Sequence, residues 1–569
     1  MTVSTTPVSA SNDTAPAAPA HDEGAPISAP RVEPASPSRL ARLGTSAARG
    51  CVLVGIGALS VLFLSLIDAQ WLKLDDFYMV EHIRSRPMGE VLGDIVTTRT
   101  TPHVRFAFIH HLILLPVFRW WFESRTAVNA LYLLTLAMVL GGGVLLCRPL
   151  ARRAGVWSGA WLLFSSLMVS TYVWSTMEFK TAGYLLFCFG TCAGLVALSW
   201  QRAASERPLT WRDHARWSLL AISCIHFAEI GLLVVFPLGF SLALQRRLDW
   251  RWLGATTAWP FCYWLLNKLL FPRPLNLLEH STGPGLLAAV SFAVRTFQEY
   301  WISELVLAVG LLVWVVALSV WRAEPGGRVR RFLITLSAGG AFLAAALGLI
   351  VLAGLSYMWA GERHLAFAGL GLTACSLWCA GALTQLLQRA WPRAVLAVLL
   401  AGFGVWKLDQ RLPRLLSYVE ARRAELTDVF SLQREVRAMG SQLAREGQSR
   451  DVVVFVPRWI IESRMGDWVD PSFMSAGWAA KSFAKEFSCP EAVACPRVTY
   501  VTNLSSLRTH HELKAQQELC RMLPEARVMV ARTSFLGDAR DITPLAPGAT
   551  EAQCLEWLVS QRLVDAAAR

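Results

Sequence analysis

Residues 217–245, WSLLAISCIHFAEIGLLVVFPLGFSLALQ, decide how this chain is threaded. The run is apolar except at its centre, where His226 and Glu229 sit. It is too long for a single pass, which takes about 20 helical residues. A titratable pair at mid-membrane is costly, and it usually lines a functional cavity. Two half-helices turning near His226 to Glu229 relieve both problems, because irregular backbone at membrane depth is tolerated where protein or a wet cavity surrounds it. The turn brings both ends of the run back to one side.

The flanking loops agree. Arginine-rich loops stay cytoplasmic. If 217–245 and the run 105–122 simply spanned, the Arg148/Arg152/Arg153 and Arg202/Arg207/Arg212/Arg216 loops would face outward. The run 105–122 carries Arg105, His110, His111 and Pro116 and reads better as a re-entrant or juxtamembrane helix. With that change every such loop is cytoplasmic, including Arg246/Arg247/Arg251, Arg322/Arg328/Arg330/Arg331 and Arg389/Arg393. Segments 69–104, 175–180, the 226–229 turn, 272–301, 357–363 and everything after about 409 then lie outside.

Further apolar runs lie at 51–67, 127–147, 156–174, 181–200, 252–271, 302–321, 332–356, 364–388 and 394–407. The expected fold class is an α-helical polytopic membrane protein of about 9–11 hydrophobic passes with a small extracytoplasmic α/β C-terminal domain. Composition agrees: 54% hydrophobic, 17% charged, 24 tryptophans and a mean hydropathy of +0.40 suit a bilayer better than water. The net charge of +13 resides largely in those short loops, so it argues for topology and against nucleic acid.

Three divisions follow. Residues 1–50 form a cytoplasmic tail whose first 38 residues, rich in Ala, Pro, Ser and Thr, are expected to be disordered. The multi-pass domain is 51–408; its first run follows Arg39, Arg42 and Arg49 with no small-residue cleavage site after it, so it reads as a retained signal anchor in the plasma (inner) membrane. Residues 409–569 comprise an Arg/Glu-rich linker helix over 410–446 and the α/β domain, with β-rich runs at Val452–Val456, Val498–Thr502 and Val528–Val530. Eight cysteines lie in or beside apolar runs and read as packing residues. Cys489, Cys495, Cys520 and Cys554 fall in the C-terminal domain, where an oxidising compartment would allow two disulfides in any of three connectivities; buried free thiols are the alternative.

Chemistry concentrates at the outer ends of the helices. The first external loop opens Trp71-Leu-Lys-Leu-Asp75-Asp76-Phe77-Tyr78 and runs on through Glu81, His82 and Arg84. A carboxylate just above a span can take a proton from an attacking hydroxyl where a lipid-borne head group would sit. Alone, the pair is a solvated loop with interfacial aromatics. Convergence adds weight: Arg99, His103, His110, His111, Glu178, Lys180, His226, Glu229, Arg363 and His364 belong to the same side. Cations there can hold a departing phosphate. Each also has a plainer reading, such as a Glu178–Lys180 pair, a local His226–Glu229 bond or a snorkelling Arg363.

In these features the chain resembles the GT-C type integral-membrane glycosyltransferases, which use polyprenyl-phosphate-linked sugars. The likeness rests on Asp75-Asp76 after the first span, Pro102-His103 opening a short apolar helix, Glu178 and Lys180 after the fourth apolar run, and Arg363 before a late span. It covers about residues 51–408 and an outer C-terminal domain. Members commonly carry His-Pro-Pro-Leu where this chain has Pro102-His103-Val104-Arg105. The resemblance implies a GT-C-like fold, a lipid-linked sugar donor, and Asp75 or Asp76 as the base activating an acceptor hydroxyl, with inversion at the sugar carbon. Arg84, His103, Glu178, Lys180, His226, Glu229 and Arg363 are the expected substrate-binding residues. With no further set of oxygen ligands visible, neither a metal nor another cofactor is expected; the expected partners are the donor and membrane lipids. A polyprenyl-linked polysaccharide polymerase or ligase, or a transporter or flippase, are the competing classes.

Overall fold

Residues 217–245 break at Ala228, whose backbone is extended (φ −157°, ψ 139°) between two helices. The structure, a computed structural model, describes residues 39–72, 75–97, 108–151, 153–270, 285–357, 360–447, 451–456, 498–502, 519–531, 539–561 and 563. By compactness the chain divides into Met1–Gly44 and Thr45–Arg569. Of the first unit only residues 39–44, the start of the first helix, are described.

The helices in order are α1 (Arg39–Ser65), α2 (Asp75–Arg84), α3 (Met88–Val96), α4 (Phe108–Trp120), α5 (Arg125–Cys147), α6 (Ala154–Met168), α7 (Thr171–Glu178) and α8 (Tyr184–Ala203). There follow α9 (Trp211–Phe227), α10 (Leu232–Leu244), α11 (Trp250–Leu270), α12 (Leu286–Thr296), α13 (Ile302–Trp321), α14 (Arg328–Tyr357), α15 (Glu362–Leu386) and α16 (Ala390–Arg445). Six helical stretches are long and apolar enough to cross a membrane: Arg125–Leu150, Thr181–Ala203, Leu286–Trp321, Pro325–Leu355, Glu362–Leu386 and Ala390–Ala424. The pair α6 and α7, bent by 56°, passes the same test as one broken span. Counting the shorter apolar helices Val52–Ser65, Phe108–Trp120 and Glu229–Leu244 brings the total among the described residues into the expected range. The chain is a multi-pass α-helical membrane protein.

The fold-back at Ala228 is real. A Cβ on Gly239 would lie 2.8 Å from the Trp217 ring, so residues equally far before and after the break are neighbours and α9 and α10 run antiparallel. Trp217 in turn donates to Ser199 at the far end of α8 (3.2 Å).

Of segment 105–122 the structure describes residues 108–122. Just after it the Arg125 guanidinium, opening α5, donates to the Asp68 carbonyl just past α1. His110, in the first turn of α4, donates from Nε2 to the Lys180 carbonyl (2.8 Å), and Arg119, in its last turn, donates to the carbonyls of Ile83, Arg84 and Arg86. Both ends of α4 therefore lie near the end of α1 and the start of α5.

Close packing welds α16 to α6. A Cβ on Gly159 would sit 2.7 Å from the Ala397 carbonyl, and one on Gly404 2.7 Å from the backbone of Leu162 and Leu163. Small residues at such contacts let helix backbones touch, which substitutes for hydrophobic driving force inside a bilayer. Helix α16 then continues unbroken past residue 408 to Arg445, 56 residues in all.

Beyond it lie β1 (Val452–Val456), β2 (Val498–Thr502), β3 (Arg527–Val530), β4 (Arg540–Asp541) and α17 (Glu551–Ser560). The sheet has order β2-β1-β3-β4, with β1 parallel to β2 and β3, and β4 antiparallel to β3. Side chains alternate across it. Val452, Val454 and Met529 pack with Leu426, Met439 and Leu443 of α16 and with Trp71, Met79 and Leu114 of the outer layer. Val453, Phe455 and Val528 pack on the other face with Leu519, Leu523 and Leu558. In that second core Cys520 and Cys554 form a disulfide. Cys489 and Cys495 lie outside the described residues. In the membrane region Cys147, Cys188, Cys192, Cys224, Cys375 and Cys379 are buried free thiols, whereas Cys262 is exposed.

Candidate functional site

The chain leaves α1 through a short turn, Ile67–Ala69, and buries Gln70, Trp71 and Leu72 before α2 begins at Asp75. Asp76 is fully buried. Its carboxylate accepts from two backbone groups, Lys180 N–H at Oδ2 (3.2 Å) and Thr181 N–H at Oδ1 (2.8 Å). These amides belong to the turn between α7 and α8, where helix ends leave N–H groups without internal partners. Asp76 thus pins α2 to that turn. Asp75 opens α2, and its side chain lies outside the described residues.

Glu178 and Lys180 flank the same turn but do not pair with each other. The Lys180 ammonium donates to Gln70 Oε1 (2.6 Å) and to the Met177 carbonyl (2.8 Å), and stands 5.6 Å from the centre of the Tyr132 ring. Glu178, also fully buried, meets Arg422 (Nε to Oε1, 3.0 Å) and accepts from the Tyr418 hydroxyl at Oε2 (2.9 Å). Arg422 is 1% exposed. Removing an ion pair of this kind from water costs several kcal/mol per charge, so it persists only with well-placed partners.

A second buried group lies one element away. Glu304, in the first turn of α13, is bracketed by Lys407 (3.4 Å) and Arg411 of α16 and accepts from the Ser303 hydroxyl (2.8 Å). Arg411 also lies over the Trp301 ring (5.0 Å). Trp301 ends a π-helical turn, Phe297–Trp301, that joins α12 to α13. Lys407, Arg411, Arg414, Tyr418 and Arg422 recur at three- and four-residue steps, so one stripe of α16 presents a cationic ladder to α7, α13 and α15. Spacing alone would have revealed that ladder. Its acidic partners, far earlier in the chain, carry no such signal.

The other expected residues sort unevenly. His226, at the end of α9, accepts at Nε2 from the Trp259 indole (2.6 Å) and packs on Phe108 (4.5 Å) and Tyr263 (5.0 Å). Glu229 is exposed on the turn. Arg84 lies 4.3 Å over the Phe122 ring, two turns along α2 from Asp76. Arg363 is half-buried in the first turn of α15, where His364 Nδ1 accepts from Gly361 N–H (3.1 Å). His103 lies outside the described residues, as does Arg99. His111 is buried in α4 beside His110. Among the described residues no cluster of three metal-ligating side chains occurs.

No protein-family model matches this chain, and no curated protein does. A solved structure of ArnT from Cupriavidus metallidurans bound to undecaprenyl phosphate is similar over 86% of this chain and 94% of that one, at 11% identity and a TM-score of 0.41.

Proposed function

We propose that the chain is a membrane glycosyltransferase that moves a sugar from a polyprenyl-phosphate donor to an extracytoplasmic acceptor. The observation that supports this reading is the buried Asp76 carboxylate, which fixes the start of α2 against the turn that carries Lys180. Both Asp76 oxygens already accept backbone N–H groups. Hydrogen bonds to the ionised form hold a carboxylate charged and weaken it as a base. Asp76 therefore serves as the clamp that fixes α2, and its neighbour Asp75 is the better candidate to take the proton of an acceptor hydroxyl.

Transfer also needs positive charge for the departing phosphate. Lys180 stands on the turn that Asp76 grips, and Arg363 opens α15. Both are candidates for that contact, with His103 as a third. A transporter would bind its cargo near mid-membrane between repeats. Here the buried carboxylates Glu178 and Glu304 stand at the end of α7 and in the first turn of α13. The Cys520–Cys554 disulfide supports an oxidising, extracytoplasmic setting for the C-terminal domain.

The test is reconstitution. The purified full chain in liposomes, supplied with a panel of radiolabelled polyprenyl-phosphate sugars and envelope acceptor extracts, should transfer label, and Asp75→Asn should abolish transfer while insertion persists. Equal rates for wild type and Asp75→Asn would remove the base assignment. An absence of transfer from every donor would remove the glycosyltransferase reading itself.

A further inference from the structure

Between α7, the start of α15 and the outer part of α16 lies an open cleft of about 550 Å³. Its lining includes Tyr172, Ser175, Glu362, Arg414, Ser417 and Tyr418, none of which the sequence singled out. We infer that this cleft is a carbohydrate-binding subsite taking one or two neutral sugar rings, and, resting on the glycosyltransferase reading above, that it holds the acceptor.

The lining chemistry selects the ligand class. A sugar ring offers vicinal hydroxyls, which both donate and accept, and an apolar C–H face. The cleft supplies a counterpart for each. Glu362 only accepts, the Arg414 guanidinium only donates in a planar fork, and the hydroxyls of Ser417 and Tyr172 can do both, while those of Ser175 and Tyr418 already donate to the Tyr172 carbonyl (3.2 Å) and to Glu178 (2.9 Å) and offer a ligand only an acceptor. Arg414 and Glu362 are both exposed side chains at the mouth, with opposite charges. A bare phosphate would suit Arg414 but meet repulsion from Glu362. A neutral polyol profits from both.

Aromatic geometry points the same way. Tyr172 packs edge-on against Tyr300 (5.7 Å, 85°) and against Trp301 (5.9 Å), so the lining ring of α7 is held in place by two further rings. Tyr300 and Trp301 belong to the π-helical turn, an irregularity that helices mostly carry at functional sites. The floor is rigid as well. The Tyr418 hydroxyl is committed to Glu178, which Arg422 holds, and Glu178 lies two residues before the Lys180 amide that grips Asp76. The cleft and the turn that grips Asp76 are therefore joined through Tyr418 and Glu178.

Saturation-transfer difference NMR on the full chain in nanodiscs tests this, with methyl pyranosides and a disaccharide as probes and inorganic phosphate and geranyl phosphate as competitors. Ring protons of at least one glycoside should receive saturation. Arg414→Ala, Glu362→Gln and the cleft-filling Ser417→Trp, all at exposed positions, should each weaken that binding at least tenfold. Asp75→Asn should leave it unchanged. Competition by inorganic phosphate that disappears in Arg414→Ala would make the cleft an anion site and overturn the inference, as would glycoside binding indifferent to all three cleft variants or no binding at all. Binding that survives without any transferase activity would keep the subsite and remove the catalytic reading, so the two failures are told apart.

Discussion

The two ends of the helix bundle use charge in opposite ways. At the arginine-loop end the exposed Arg330 and the half-buried Arg393 serve the backbone: Arg330 donates to the Leu244 carbonyl (3.0 Å), and Arg393 to those of Leu387 (2.6 Å) and Gln388 (3.0 Å). At the other end the cations are buried and serve carboxylates: Arg422 with Glu178, and Lys407 and Arg411 with Glu304. The first pattern anchors helix termini at an interface and tolerates change. In the second, each charge is affordable only because its partner is in place. The comparison teaches where substitution should hurt.

The largest effect is expected at Arg422. Arg422→Ala strands the fully buried Glu178 carboxylate, and losing one partner of a buried pair costs about 3–5 kcal/mol. A marked drop in the thermal unfolding midpoint of detergent-solubilised protein should report it. Arg422→Met with Glu178→Gln, which removes both charges, should recover most of that loss; a double variant as unstable as the single one would break the contrast between the two ends. Next comes Asp75→Asn, expected to lose turnover by about 10²-fold or more, the usual share of a general base. Initial transfer rates in proteoliposomes measure it. Arg330→Ala, at the opposite end, should cost only about 0.5 kcal/mol, as exposed positions usually do, and should leave transfer untouched.

Topology sharpens the same comparison. Reporter fusions at 150, 210, 249 and 326 should read cytoplasmic, and fusions at 90, 285 and 450 external. A cytoplasmic signal at 90 or 450 would put the buried network on the wrong side for an extracytoplasmic acceptor.

The smallest effect concerns pH. In the C-terminal domain Arg527 donates to both Asp541 oxygens (2.8 and 3.0 Å) and to Glu446 at the end of α16 (2.9 Å), and these bonds hold the Asp541 carboxyl below its ordinary value. A group whose folded pKa is depressed contributes stability above its unfolded pKa and loses it as pH falls through the folded value. Hydrogen-exchange protection at β3 and β4, relative to the unstructured amide at the same pH, should therefore fall below about pH 4, modestly, because the pair is largely exposed. Arg527→Gln should flatten that dependence.

Much of the architecture was legible because the bilayer imposes long-range rules on short-range pattern. The excess length of 217–245 and its central His226 and Glu229 disclosed a fold-back that Ala228 indeed makes. The arginine pattern leads to the expectation that 105–122 does not cross, and Arg119 and Arg125 tie the described part of that neighbourhood to the end of α2 and the end of α1. The site was less legible. Arg422 and Tyr418 sit in a stretch that reads as a solvated Arg/Glu-rich linker helix, and Glu178 lies some 240 residues earlier. Nothing local says that one face of that linker is buried. Lys180 was identified, yet its ammonium turns to Gln70 and Met177, a choice that only packing determines.

The unbroken run of α16 has a mechanical consequence. A helix of 56 residues is a rod of about 84 Å, and it is gripped twice: by α6 through Gly159 and Gly404, and by the strands through Leu426, Met439 and Leu443. Between the two grips lies Pro413, which removes one helical hydrogen bond and sets the place where a long helix bends, and it does so in the lining of the cleft beside Arg414.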